Sequence, residues 1–332
     1  MTKALPQVTF KGKTYHCSPE KTLLTNLLEK NIALPYSCLE GVCFACMLQA
    51  VKGSPPTKSQ MGLSQAQKEN NFFLACQCHV EEGLEIKLPS THAQQTFVTT
   101  LVQKKQLSND IFLLSFQCPL GFEYQAGQFV NFIHPQTKAL RSYSISSVEN
   151  EGFLDFHIKL LPNGELSTLL CNQLNHGDEI AFTGPFGNCF YNSAKPNQPL
   201  ILAGVGAGLA PLYGIVKDAI RFKHQANIYL FHGAFNEQGL YFSQELAALA
   251  LAYPRVTYVP STLQSNDKGI IQGNIDEIII KTIGDCHGKR AYLCGDSATV
   301  KTMQKALFFA GIPKSEMFTD AFTPASVTEN KN

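Results

Sequence analysis

The chain has 332 residues, 44% hydrophobic and 16% charged, with a formal charge of +1. That is room for two or three globular domains, and the near-neutral balance leaves no electrostatic footprint for a nucleic-acid partner. Met1 to Phe10 lacks a basic-then-apolar leader, and the longest apolar stretch, Leu200 to Val216, is broken by glycines and a proline, so neither export nor a membrane segment is expected. These features predict a cytoplasmic protein; its oligomeric state is not legible.

The first segment, residues 1–92, opens with strands at Gln7–Phe10 and Lys13–Cys17. A helix follows over Thr22–Lys30, where Leu23, Leu24, Leu27 and Leu28 recur at helical spacing. A long cysteine-rich loop leads to a strand at Glu85–Leu88, and the polar stretch Pro89–Thr96 reads as a linker. In the second segment, residues 93–196, short strands at Ile111–Phe116, Gln128–Ile133, Phe153–Leu160 and Glu179–Phe182 alternate with turn residues. That pattern predicts an antiparallel β-barrel. In the third, residues 197–332, strands at Leu200–Ala203, Asn227–Phe231, Val256–Pro260 and Arg290–Cys294 alternate with helices at Pro211–Phe222, Ser243–Ala252, Ile275–Thr282 and Ala298–Ala310. Alternation of this kind gives an α/β parallel sheet of nucleotide-binding type.

Eleven cysteines are unusual for such a chain, and in a protein without an export signal clustered cysteines bind metal more often than they form disulfides. Cys17, Cys118, Cys171, Cys189 and Cys286 are scattered and read as background. Cys38, Cys43 and Cys46 form C-x4-C-x2-C, the plant-type [2Fe-2S] spacing, with a further cysteine downstream. Gly41 lets the backbone curl so that amides face the cluster sulfurs. The fourth ligand is Cys76, whose Leu-Ala-Cys-Gln setting matches the ferredoxin pattern, with Cys78 as the alternative. A four-cysteine zinc site would normally pair two short knuckles, and a Rieske centre needs two histidines where only His79 is near.

Arg141-Ser142-Tyr143-Ser144 and, about twenty residues on, Gly164-Glu-Leu-Ser167-Thr168 have the chemistry a flavin dinucleotide requires. An arginine pairs bidentately with pyrophosphate, a tyrosine stacks on the ring, and a serine hydroxyl reaches the N5 edge where hydride arrives. Gly164 to Thr168 would open a helix whose amides face a phosphate; the plainer reading is that Ser167 is a helix cap. Gly204-Val-Gly206-Ala-Gly208 joins a strand to a helix, where glycines let backbone approach a pyrophosphate; the plainer reading is a tight turn. Cys294-Gly295-Asp296 also ends a strand, and ligands of such sheets sit at the carboxyl ends of strands, so both segments point to one crevice. Phe318-Thr-Asp320-Ala-Phe322 places an aromatic near the end of the chain. His232 to Glu237 lacks an arginine for a 2′-phosphate, and Glu237 suits a ribose hydroxyl, which favours NADH over NADPH.

Taken in order, these segments resemble the ferredoxin–NADP⁺ reductase superfamily, in the branch with an N-terminal plant-type ferredoxin domain. Reductase components of ring-hydroxylating dioxygenases and soluble monooxygenases belong to it, as do CDP-6-deoxy-glucoseen reductase-like proteins, whose glycine-rich stretch is most similar. The resemblance implies an α+β β-grasp ferredoxin domain, an FAD-binding barrel and an NAD(P)-binding domain. It implies that Arg141, Ser142, Tyr143, Ser144, Gly164, Ser167 and Thr168 hold FAD. Gly204, Gly206, Gly208, Cys294, Gly295 and Asp296 would hold the nucleotide, with Ser144, Cys294 and Phe322 at the hydride-transfer locus. Val205 and Ala207 stand where relatives carry threonine, Cys294-Gly-Asp296-Ser replaces Cys-Gly-Pro-Pro, Phe44 follows the second cysteine where a small residue is common, and ten further residues follow Phe322.

The expected activity is transfer of hydride from NADH to FAD, then of single electrons through the cluster to a protein acceptor, an oxygenase component. The alternatives are a reductase partner of a sugar-deoxygenating dehydratase and a non-catalytic redox-sensing module.

Overall fold

Three hydrogen-bonded sheets, one per segment, appear in the computed structural model, which describes residues 5–32, 34–36, 38–81, 83–89, 95–264 and 270–322. The described residues divide into two compact units: residues 5–96 with Asn131–Ser142, and Phe97–Val130 with Tyr143–Phe322.

The first sheet contains β1 (Gln7–Phe10), β2 (Lys13–His16), β3 (Met47–Lys52), β4 (Phe72–Leu74) and β5 (Leu84–Lys87), in the order β2-β1-β5-β3-β4. It is mixed: β1 runs parallel to β5 and antiparallel to β2, while β3 is antiparallel to both β5 and β4. Helix α1 (Leu23–Leu28) is capped by the Thr22 hydroxyl, which accepts from the Thr25 amide, and buries Leu23, Leu24 and Leu27 in the core under the sheet. Helix α2 (Gln65–Glu69) starts with a reciprocal capping box between Ser64 and Gln67. The stretch expected to be one long loop therefore contains β3, α2 and β4. Met47–Lys52 has no period-two alternation to announce a strand; its pairing with β5 makes it one.

The second sheet orders β6 (Thr96–Gln106), β7 (Ile111–Gln117), β8 (Phe129–Ile133), β9 (Leu140–Ser144), β10 (Phe153–Lys159) and β11 (Glu179–Phe186) as β10-β7-β6-β11-β8-β9. Just beyond β9, Ile145 bridges antiparallel to Phe156 of β10, and the Ser146 amide donates to the Asp155 carbonyl at 2.8 Å, so the two edges meet as a barrel requires. β6 already starts at Thr96, and residues 90–94 of the expected linker lie outside the described residues. After β10, helix α3 (Glu165–Thr168) passes into a wider turn over Leu169–Gln173.

The third sheet is parallel and holds β12 (Leu200–Val205), β13 (Ile228–Ala234), β14 (Val256–Thr262), β15 (Ile271–Gln272), β16 (Arg290–Asp296) and β17 (Met317–Phe322), ordered β15-β14-β13-β12-β16-β17. The near-continuous apolar runs of β12 and β16 are those of strands covered on both faces. Helices α4 (Leu209–Arg221), α5 (Ser243–Ala252), α6 (Ile275–Ile283) and α7 (Ser297–Phe309) connect the strands. The strand order reverses between β12 and β16, which makes their carboxyl ends the switch point where such sheets bind ligands. Among the described residues no helix is long and apolar enough to cross a membrane.

Candidate functional site

The cysteine loop is shaped by backbone that ordinary residues avoid. Leu39, Gly41 and Phe44 have φ of 60°, 79° and 56°, and a left-handed conformation costs a non-glycine residue about 1 kcal/mol or more. Gly41 is needed for space as well, because a Cβ there would lie 2.8 Å from Gln77 Cγ. The turns aim amides at sulfur. Cys38 Sγ accepts from the Glu40 and Cys43 amides at 3.4 Å, Cys43 Sγ from the Cys38 amide at 3.3 Å, and Cys46 Sγ from the Cys76 amide at 3.5 Å. Gln77 Nε2 donates to Cys76 Sγ at 3.6 Å.

Cys38, Cys43, Cys46 and Cys76 are all buried, and their thiols meet as two pairs, Cys38 with Cys43 and Cys46 with Cys76. The thiol hydrogen bond from Cys43, helped by surrounding amides, pulls Cys38 down to about 6; Cys76 is lowered chiefly by the bond from Cys46. Among the described residues no three histidine, cysteine or acidic side chains converge on one point that could hold a metal ion. Two pairs of cysteine sulfurs in an amide cage fit a two-iron cluster with two ligands per iron, whereas a single zinc ion needs all four sulfurs around one centre. Cys78 turns elsewhere: it packs in the core near Cys17 and Ser59, and burial pushes its thiol up to about 12.

In the second unit, the parallel register lines up Gly204, Cys294 and Asp320 across the carboxyl ends of β12, β16 and β17. Ser144, at the end of β9, donates from Oγ to Asp320 Oδ2 at 2.5 Å, and both residues are buried. Cys294 is fully buried with its thiol pushed up by desolvation and by the sulfur of Cys189, 3.7 Å away. Phe322 pairs in register with Asp296, two residues beyond this row along the strands. Ser144, Cys294 and Asp320 thus form one polar cluster at the switch point.

The glycine-rich turn is packed against that row. A Cβ on Gly208 would fall 2.5 Å from the Cys294 carbonyl oxygen, one on Gly204 2.7 Å from Leu212 Cδ1, and one on Gly295 2.6 Å from Val205 Cγ2. Gly206 differs: its φ is 54° and nothing lies within 4 Å of a Cβ, so open space borders the turn there. Helix α4 starts at Gly208 without a side-chain cap, as a helix end that receives a phosphate should. Asp296 is instead occupied locally, capping α7 by accepting from the Thr299 amide at 3.0 Å.

The flavin segment is placed as follows. Arg141 and Tyr143 are half-buried on β9; Arg141 Nη1 donates to the Leu140 carbonyl at 2.7 Å and to the Tyr36 carbonyl at 3.4 Å. Ser142 Oγ donates to Asn131 Oδ1 at 2.7 Å. Gly164 is the uncapped start of α3, with Thr168 as its last residue. Ser167 is not the cap: it lies inside the helix, its Oγ donating to the Gly164 carbonyl and accepting from the Leu161 amide, both at 3.2 Å. A Cβ on Gly164 would collide with that Oγ, so these two residues specify one another. An uncapped helix start has free amides that suit a phosphate, and an arginine and a tyrosine on one strand suit the pyrophosphate and ring of a flavin dinucleotide.

Two members of the cluster escape the sequence reading. Asp320 lies within Phe318 to Phe322, a carboxylate flanked by aromatics and the one buried residue of a strand that is otherwise half-buried. Cys189 reads as background because 105 residues separate it from Cys294, and only the fold brings their sulfurs together.

Comparison with known proteins bears on the same three segments. Residues 8–81 match the 2Fe-2S iron-sulfur cluster binding domain family, residues 98–191 the oxidoreductase FAD-binding domain family, and residues 201–305 the oxidoreductase NAD-binding domain family. The chain is 29% identical to the ferredoxin–NAD(P)⁺ reductase component of the naphthalene 1,2-dioxygenase system of Pseudomonas putida, covering 92% of this chain and 94% of that one. It is 28% identical to the reductase subunit of an aromatic O-demethylase from Amycolatopsis sp. (strain ATCC 39116 / 75iv2), covering 96% and 99%. The solved structure of the cytochrome P450 reductase GcoB from Amycolatopsis superposes with a TM-score of 0.70 at 25% identity, covering 97% of this chain and 100% of that one. The sugar-reductase specificity suggested by the glycine-rich stretch has no counterpart in these matches. The chain is a ferredoxin–NAD(P)⁺ reductase-type oxidoreductase, with 2Fe-2S, FAD-binding and NAD-binding domains following one another along the sequence.

Proposed function

We propose that this protein is the NADH-dependent reductase component of a cytoplasmic oxygenase system. The observation that carries the reading is the Ser144–Asp320–Cys294 cluster at the switch point, in a chain that also holds the paired thiols of the cysteine loop. Bound FAD would supply the exchange between two-electron and one-electron chemistry. Arg141, Ser142, Tyr143, Ser144, Gly164, Ser167 and Thr168 would hold it. Gly204, Gly206, Gly208, Cys294, Gly295 and Asp296 would form the nucleotide site, and Cys38, Cys43, Cys46 and Cys76 would ligate the cluster. Asp320 fixes the Ser144 hydroxyl in one direction, so the hydroxyl is oriented before any ligand arrives. Burial keeps Cys294 a neutral thiol, a small polarisable surface without a competing charge. Phe322, beyond the polar row, would cover the flavin face until nicotinamide displaces it.

The oxygenase assignment is supported by relatives that serve dioxygenase and O-demethylase systems. Glu237, at the first turn after β13, supports NADH, since a carboxylate repels a 2′-phosphate. The test is Cys43→Ser. NADH-to-ferricyanide activity is expected to persist within about twofold, while reduction of one-electron protein acceptors is lost. Joint loss of both activities would show that flavin and cluster do not have separate tasks. With the unsubstituted protein, kcat/KM should favour NADH over NADPH by roughly tenfold or more, the scale of one repelled charge; the reverse preference removes the coenzyme assignment. A dehydratase-type acceptor is recognised if oxygenase components are not reduced and a sugar-deoxygenating partner is.

A further inference from the structure

A polar side chain that is fully buried in a strand is costly unless both of its ends are used. Asn131 of β8 is such a residue, with no solvent exposure. Its Nδ2 donates to the backbone carbonyl of Cys43 at 2.9 Å, and its Oδ1 accepts from Ser142 Oγ at 2.7 Å. All three residues belong to the first compact unit, which gathers the cysteine loop with the hairpin tip Asn131–Ser142. Ser142 is the neighbour in sequence of Arg141 and Tyr143, and Cys43 is one of the paired thiols. The carbonyl that Asn131 grips belongs to the Cys43–Phe44 peptide, and Phe44 is held in the left-handed region at φ 56°. A strained peptide persists only where its surroundings over-determine it, and such peptides cluster at functional sites. Here the second hold on the peptide comes from Asn131.

We propose that Asn131 is a positioning residue for flavin-to-cluster electron transfer, the centre of a bridge that runs Ser142 Oγ–H···Oδ1 Asn131 Nδ2–H···O=C Cys43. This deepens the function proposed above and rests on it. The bridge has two consequences. It joins the Arg-Ser-Tyr-Ser strand to a cluster ligand through two short hydrogen bonds, and tunnelling decays more slowly along a bonded path than across a gap. It also sets the positive end of an amide dipole against the Cys43 peptide, which favours the more negative, reduced cluster. The electron count is simple. Bound FAD would receive two electrons and one proton as hydride and would pass the electrons singly to a bound cluster, whose ferric iron would accept them and return them to the protein acceptor. The flavin N–H bond made by the hydride would break as the electrons leave, its proton going to water.

The test uses the full-length protein with FAD and cluster in place, and two variants. Asn131→Leu is nearly isosteric and cannot hydrogen-bond; Asn131→Ser is smaller and too short to reach Cys43, and is read if the leucine variant does not fold. Stopped-flow absorbance after mixing with NADH separates flavin bleaching from cluster reduction, and EPR-monitored titration gives the cluster potential. In both variants flavin bleaching should stay within twofold of the unsubstituted protein. Cluster reduction should slow at least tenfold, and the cluster potential should move to a more negative value, which a merely structural residue would not cause. Native cluster-reduction rate together with native potential in either folded variant overturns the proposal. Failure of NADH to bleach the flavin of the unsubstituted protein overturns the functional reading beneath it, and is told apart because no substitution is involved.

Discussion

Asp320 is buried in strand β17, and its carboxylate accepts a hydrogen bond from the Ser144 hydroxyl while sitting in register beside Cys294. Removing it by Asp320→Ala leaves a buried hydroxyl without that partner and frees it to rotate. Losses of positioned groups at reacting centres are typically 10²-fold or more, so the rate of NADH-driven flavin bleaching should fall by roughly 10²-fold with FAD content unchanged. A rate within a factor of three of native would remove Asp320 from the hydride site. A second residue-scale effect concerns acid. His157 and His232 are buried, and desolvation holds both at about 3. Their folded values lie below that of an unfolded histidine, so the unfolded chain binds the extra protons. Stability is therefore full above about pH 6.5 and declines as pH falls toward 3. Each group costs about 1.4 kcal/mol per pH unit in that window, hence about 2 kcal/mol between pH 6.5 and 5. Urea unfolding of His157→Asn and the native protein at pH 7 and pH 5 checks it: the native protein should lose about 2 kcal/mol more than the variant. Equal losses would mean that His157 is solvated.

At the scale of elements, the strand–turn–helix unit of β12 and α4 permits a paired comparison. Gly208→Ala drives a Cβ to 2.5 Å from backbone of β16, which cannot swing away. A displacement of α4 should destabilise by about 2 kcal/mol and raise the KM for the nucleotide about tenfold. Gly206→Ala meets open space and is charged only for its positive φ, about 1 kcal/mol. Similar melting temperatures for the two variants would show that the turn is not packed as described. This unit was legible because buried parallel strands write themselves as apolar runs and glycines punctuate the turn. Four of the six barrel strands, β7, β8, β10 and β11, and helix α5 were legible from local composition and punctuation, whereas β6 and β9 become strands only by pairing within the sheet. β3, α2 and β4 were not legible either, because their order comes from pairing with β5 and packing around the cysteine loop. The candidate site divides likewise. Cys38, Cys43 and Cys46 announce themselves by spacing within one loop, whereas Cys189 joins Cys294, and Asn131 joins Cys43, only through tertiary contact.

For the whole molecule, the order of the domains follows the order of the chemistry in reverse: nucleotide-binding sheet last, flavin sheet in the middle, thiol loop first. A two-electron donor and a one-electron carrier need the flavin as intermediary, which is why three sites recur in one chain. The account stands on electrons entering at the crevice and leaving at the cysteine loop. The most direct measurement is an anaerobic titration of the full-length protein with NADH, followed by visible absorbance and EPR. Flavin bleaching accompanied by the rhombic signal of a reduced [2Fe-2S] cluster is the predicted result. Flavin bleaching with no cluster signal at excess NADH would contradict it, and would leave a flavin reductase whose cysteine loop has another task.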